Sequence, residues 1–270
     1  MKRITLCADD YGITSGVSQA ILTLADRGAI HATSCMVTMP AWQEHAIKLI
    51  PYIDTIDIGL HLNLTEGKGL TQGFQQSFPS LYSLLIKSHL RLLPYTQLVE
   101  EIRAQIQAFI TTTGGVPDFI DGHQHVHHLP QVRQALISSM LAMKLPPSTW
   151  VRSVSPLVAP DKNLKCRVIE HSGARQLHDL STQAKYRTNT AFAGVYSLSQ
   201  DEAFRPLMQS WLRELPDASL IMCHPCLANT PEAVDHAQAR YIEYDYLASD
   251  TFRQDCHSAG IKLQRLFEAS

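Results

Sequence analysis

Two adjacent carboxylates follow the first apolar run of the chain, in Ala8-Asp9-Asp10-Tyr11-Gly12. Successive side chains of extended backbone diverge, so such a pair suits two jobs at one centre: one carboxylate binds a cation while the other takes a proton. Aspartates also cap turns and helices, and the pair alone leaves that use open. A second candidate is His61, in Gly59-Leu60-His61-Leu62-Asn63-Leu64-Thr65. Taken singly, it reads as a satisfied interior histidine. The stretch Asp121-Gly122-His123-Gln124-His125-Val126-His127-His128 packs four histidines into six residues. Neutral imidazoles bind zinc and other divalent transition metals, and a solvated loop does not need such density. Function is the favoured reading there, although a catalytic metal keeps positions open for water and substrate, so not every histidine can be a ligand.

A fourth group is Met222-Cys223-His224-Pro225-Cys226. His224 could protonate a leaving group. Its flanking cysteines form a lone Cys-x-x-Cys with no second copy, and no thioredoxin-type helix is evident after it, so they read as packing thiols. Arg152, in Trp150-Val151-Arg152, could orient an acidic neighbour, contact substrate or simply lie at the surface.

Each group falls where a strand should end. Residues 4–8 read as a first strand, and Ser15 could cap a helix with apolar face Val17, Ala20, Ile21 and Leu24, stopped by Gly28. Residues 31–39 are β-favouring. From Thr55 to Leu64, apolar and polar residues alternate with the period of a strand with two unlike faces, which turns Asp57, His61 and Asn63 inward. Further strands are expected at 118–122, 151–154, 220–223 and 261–263. Helices are expected around 98–109, ending at Gly114, from about Pro130, from a Ser199/Glu202 capping pair through Trp211, and over most of 241–257. Strands alternating with helices predict an α/β fold with a parallel sheet, and their number favours a (β/α) barrel with reactive groups at the strand ends. No G-x-G-x-x-G or P-loop supports a nucleotide fold. Residues 1–270 read as a single domain, with an insertion at about 65–95.

Composition bounds the rest. The 270 residues are 45% hydrophobic and 18% charged, an ordinary globular balance. A net charge of −2 gives no electrostatic reason to expect nucleic acid or an anionic membrane as partner. The opening residues are too short for a signal-peptide core and no later apolar run could span a bilayer, so a soluble cytoplasmic protein is expected. Six scattered cysteines are expected to stay reduced.

Taken together, the motifs at 8–12, 59–65 and 121–127 and the His-Pro at 224–225 resemble those of the YdjC-like carbohydrate deacetylases, whose best-known members are chitooligosaccharide deacetylases. They come in the family's order, at similar spacing, over nearly the whole chain. The resemblance implies an irregular TIM-like barrel related to polysaccharide deacetylases, with a divalent metal, magnesium or zinc, held by one aspartate and two histidines. Asp10, His61 and His123 match the ligands, Asp9 the proposed base and His224 the proposed acid. His125, His127 and Arg152 are expected near substrate, with His127 a rival for third ligand. Cys226 departs from the glycine often found after His-Pro. The implied partner is an N-acetylated oligosaccharide, with a homodimer as the assembly to test. Two readings compete: another metal hydrolase, such as a phosphoesterase, and a non-catalytic metal- or sugar-binding protein.

Overall fold

The computed structural model describes residues 1–159, 169–199, 203–228 and 230–267. Its strands are β1 (Lys2–Tyr11), β2 (Ala32–Cys35), β3 (Asp57–Leu62), β4 (Phe119–Gly122), β5 (Trp150–Val151), β6 (Phe192–Ala193), β7 (Ser219–Cys223) and β8 (Ile261–Leu263). All pairings are parallel, in the order β5-β4-β3-β2-β1-β7-β6, with β8 paired to the first residues of β1. The helices are α1 (Ser15–Asp26), α2 (Trp42–His45), α3 (Leu81–His89), α4 (Tyr95–Thr113), α5 (Val132–Ala142), α6 (Arg175–Gln183), α7 (Phe204–Glu214), α8 (Ala237–Leu247) and α9 (Asp250–Ser258).

The alternation along the strands builds two layers of core. Ile4, Leu6, Leu60 and Leu62 join Val17, Ile21 and Leu24 of α1 and Ile102, Ile106 and Phe109 of α4 in one buried cluster between sheet and helices. Cys7, Ala32, Phe119, Trp150, Phe192 and Leu220 form a separate cluster, the filling of the curled sheet. Phe119 and Trp150 stack at 4.1 Å, and a Cβ on Gly59 would lie 2.5 Å from the Phe119 ring. Glycine at 59 therefore makes room for the filling beneath the polar mouth. The barrel is irregular because β5 and β6 do not pair. A loop closes the gap: Phe192 donates to the Pro156 carbonyl and Val158 to that of Phe192, and Asn189 exchanges hydrogen bonds with the backbone of Ser153.

Several boundaries differ from the sequence reading. Thr14, not Ser15, caps α1 by accepting from Val17 N. The expected strand 151–154 shrinks to Trp150–Val151 because the chain peels away toward Asn189. The expected helix 241–257 is two, restarted by Ser249, whose side chain accepts from Phe252 N. α7 starts after Ala203 without a side-chain cap, and Glu202 lies outside the described residues. Cys166 lies outside them too; the other five cysteines are free and buried. Asn63 follows β3 rather than facing the mouth, and its side chain holds the loop backbone at Thr65 and Glu66. The patternless stretch 65–95 contains α3, capped by Ser80. Among the described residues, no helix is long and apolar enough to cross a membrane.

Candidate metal centre

Asp9 and Asp10 lie at the C-terminal end of β1, where the ladder to β2 changes register between Ala8 and Tyr11. Asp10 adopts φ +71°, a left-handed conformation that strains a non-glycine residue by ~1–3 kcal/mol. This bulge brings two consecutive side chains to one cavity instead of opposite faces. Both carboxylates are 1% exposed.

His61 projects from β3 with Nδ1 2.6 Å from Asp121 Oδ1 and 2.9 Å from Ser34 Oγ. A proton shared there with Asp121 turns Nε2, 3.4 Å from Asp10 Oδ1, toward the centre. His123, directly after β4, places Nδ1 3.0 Å from the same Asp10 oxygen. The ligand atoms of Asp10, His61 and His123 all lie within 4.8 Å of one another. One carboxylate and two imidazoles, one of them braced by a second carboxylate, form a donor set that fits a divalent cation.

Electrostatics follow the same geometry. Burial opposes the Asp10 charge, but the Arg240 guanidinium and then His123 hold its carboxyl well below the usual range. Burial would lower the His61 pKa; Asp121, Asp10 and Asp9 overcome that and raise it to about 10. In the cation-free protein, a proton on His61 thus takes up part of the charge that a metal would supply.

A second cluster of potential ligands, Cys7, Asp9 and Asp121, also falls within 4.8 Å. Arg152 fills it. Its Nη1 and Nη2 donate at 2.6 Å to the two Asp9 oxygens, and Nη2 is 2.5 Å from Asp121 Oδ2. Against the burial penalty, this clamp keeps the Asp9 carboxyl well below the usual range. Arg152 is completely buried and does not line the cavity; of the uses the sequence left open, the one its contacts match is holding acidic neighbours, Asp9 and Asp121.

The histidine run divides. Gln124 and His125 take positive φ of +52° and +59°, reversing the chain. His125 still lines the cavity. His127 is turned away, fully buried, with Nε2 3.1 Å from the Arg152 carbonyl, and does not join the Asp10 cluster as the rival ligand would. His128 Nε2 lies 2.7 Å from Ser172 Oγ. Burial keeps all three neutral, with His128 pushed down to about 3.

His224, after β7, lines the same cavity, of about 710 Å³, as Asp9, Asp10, His61 and His123. Burial lowers its pKa to about 4. Its backbone N–H donates at 2.5 Å to Glu243, which also accepts from the Tyr196 hydroxyl at 2.6 Å. Burial raises the Glu243 pKa to about 7. Glu243 and Arg240, which donates at 2.6 Å to Asp10 Oδ2, stand one turn apart on α8. Sequence reasoning missed both. A three-residue spacing on a helix marks a shared face, but nothing local tells which strand ends that face will meet.

Residues 3–258 match the family model described as YdjC-like protein. Chitooligosaccharide deacetylases of Yersinia enterocolitica and Yersinia pestis are 26% and 25% identical to this chain, over 97% of it and 97% of their own lengths. A crystal structure of a candidate cellobiose-phosphate cleavage protein of Enterococcus faecalis superposes with a TM-score of 0.72 at 20% identity, covering 98% of this chain and 97% of that one. That last likeness is one of fold. The motif order, the parallel barrel and a match spanning nearly the whole sequence agree, and the chain belongs to the YdjC-like family.

Proposed function

We propose that this chain is a cation-dependent carbohydrate deacetylase that removes N-acetyl groups from a small amino-sugar oligosaccharide, such as a chitooligosaccharide. The observation that carries the reading is convergence: Asp10, His61 and His123 share one centre, and Asp9 and His224 open onto the same cavity. The names of the Yersinia relatives support the substrate class.

When bound by Asp10, His61 and His123, a divalent ion, magnesium or zinc, supplies Lewis-acid polarisation of the amide carbonyl and acidification of water. The chain's own groups do the rest. Asp9, held rigidly by Arg152, accepts the proton of the water that attacks the acetyl carbon. The Arg152 contacts that lower the Asp9 pKa also fix the orientation in which it takes that proton. His224, neutral at rest, takes up a proton and passes it to the departing amine nitrogen as the C–N bond breaks, and Asp9 returns its proton to solvent. Burial that depresses its pKa also makes its protonated form a strong acid. His125 lines the cavity, and on this reading it contacts the sugar. A phosphoesterase has less support, because Arg152 is committed to Asp9 and Asp121, and Arg240 to Asp10.

The test is acetate release from N,N'-diacetylchitobiose by the purified protein, before chelation, after it, and after adding back magnesium or zinc. Release should stop on chelation and return with one of the ions. Release indifferent to chelation would remove the cation from the reading, and none from any N-acetylated sugar would remove the deacetylase.

A further inference from the structure

Arg240 is a nearly buried cation in direct contact with the candidate metal centre. It is 5% exposed and belongs to α8, far in sequence from the strand it meets. Its Nε donates at 2.9 Å to the Asp235 carbonyl and its Nη2 at 2.6 Å to Asp10 Oδ2. The other Asp10 oxygen, Oδ1, is the one that faces His123 Nδ1 at 3.0 Å and His61 Nε2 at 3.4 Å. The carboxylate is therefore divided: one oxygen belongs to the guanidinium and one to the imidazoles.

We infer that Arg240 is a positioning residue that makes Asp10 a one-oxygen ligand and keeps the bound cation short of negative charge. The inference rests on Asp10 being a cation ligand, as proposed above. Asp10 sits in strained backbone on a bulge, and its carboxylate has an outside anchor on α8. A guanidinium fixed at two points provides it, with a planarity that an ammonium lacks. The charge effect has a definite sign. Three carboxylates, Asp9, Asp10 and Asp121, face two guanidiniums, Arg152 and Arg240. Removing Arg240 makes the centre more negative and frees the second Asp10 oxygen to bind. Both changes hold a cation more tightly, and both weaken it as a Lewis acid. A residue that merely supported the fold would lose cation affinity and turnover together. Arg240 should separate them.

Arg240→Met and Arg240→Lys would be compared with the wild type by Co²⁺ titration against a competing chromophoric chelator, by the visible Co²⁺ absorption band, and by acetate release. For Arg240→Met, the expected result is Co²⁺ affinity raised about tenfold by the lost charge, a weaker visible band because an added oxygen raises the coordination number, and acetate release reduced about 100-fold. Arg240→Lys keeps the charge, and its affinity should return toward wild type with part of the turnover. If Arg240→Met is unstable without metal, saturating Co²⁺ should restore its melting temperature. The inference is overturned if Arg240→Met lowers Co²⁺ affinity along with turnover, or leaves band and turnover unchanged. A wild type that binds Co²⁺ without deacetylating would fail the functional reading alone, since affinity and band still test Arg240. A wild type that binds no Co²⁺ would end both.

Discussion

The Asp9-Asp10 pair and the histidine run from His123 to His128 meet at one cavity, yet they were built by opposite routes. The pair is an unremarkable dipeptide that a bulge, one left-handed residue and two distant arginines convert into the hub of the site. The run is the loudest metal-like signal in the chain, and only its first histidine joins the Asp10 cluster. The others are packed as neutral imidazoles, His127 against the Arg152 carbonyl and His128 against Ser172. Density of ligand-type residues thus says less about coordination than the strand end from which each side chain leaves.

That contrast can be broken most directly at Asp10. Asp10→Asn removes the charge on which His61, His123 and Arg240 converge, so elemental analysis after loading should find no stoichiometric cation, and turnover should fall to background. Asp9→Asn should behave differently: turnover drops by ~10²–10⁴-fold while the cation stays bound, because Asp9 faces Arg152 rather than the imidazoles. Loss of metal in Asp9→Asn would merge two roles that the geometry separates.

A pH titration sharpens the same point. His61 has its pKa raised to about 10 in the cation-free protein, so its protonated form stabilises that state most at pH below its ordinary value near 6.5. This stabilisation is lost as pH rises through about 10. A cation must displace that proton. Its apparent affinity should therefore climb about tenfold per pH unit between roughly pH 7 and 9, measured by competition titration. A flat profile would mean that His61 is not a ligand.

The smallest effect is expected from the run. His127→Leu should cost ~1–3 kcal/mol in denaturant unfolding, from the lost contact to the Arg152 carbonyl, with cation content unchanged. A variant that lost its cation would restore His127 as a ligand and undo the contrast.

Most strands and the barrel class were legible because β3, though buried on both faces, sets Ile58, Leu60 and Leu62 against the helices and Asp57, Gly59 and His61 on the other side, a period that survives in the sequence. Gly114 marked the end of α4 because its φ of +77° favours glycine. Helix α3 was not legible: it is largely exposed, with Leu84 and Ser88 its buried residues, so no apolar stripe was required. The short strand β6 has two residues, too few to show any period. Cys223 and Cys226 read as packing thiols, and both are buried and free. Arg152 could be named as a candidate, but its commitment to Asp9 rather than to substrate depended on a strand 143 residues away.

By itself, the sequence determined which side chains stand at strand ends, since a strand's alternation and its terminating loop are local properties of neighbouring residues. The tertiary structure alone decided how Asp10 is shared between His61, His123 and Arg240, and which cation-seeking cluster is already filled by a guanidinium. Charge pairing acts through space over a few ångströms. The partners it selects are set by how β1, β4 and α8 pack, which no stretch of adjacent residues encodes.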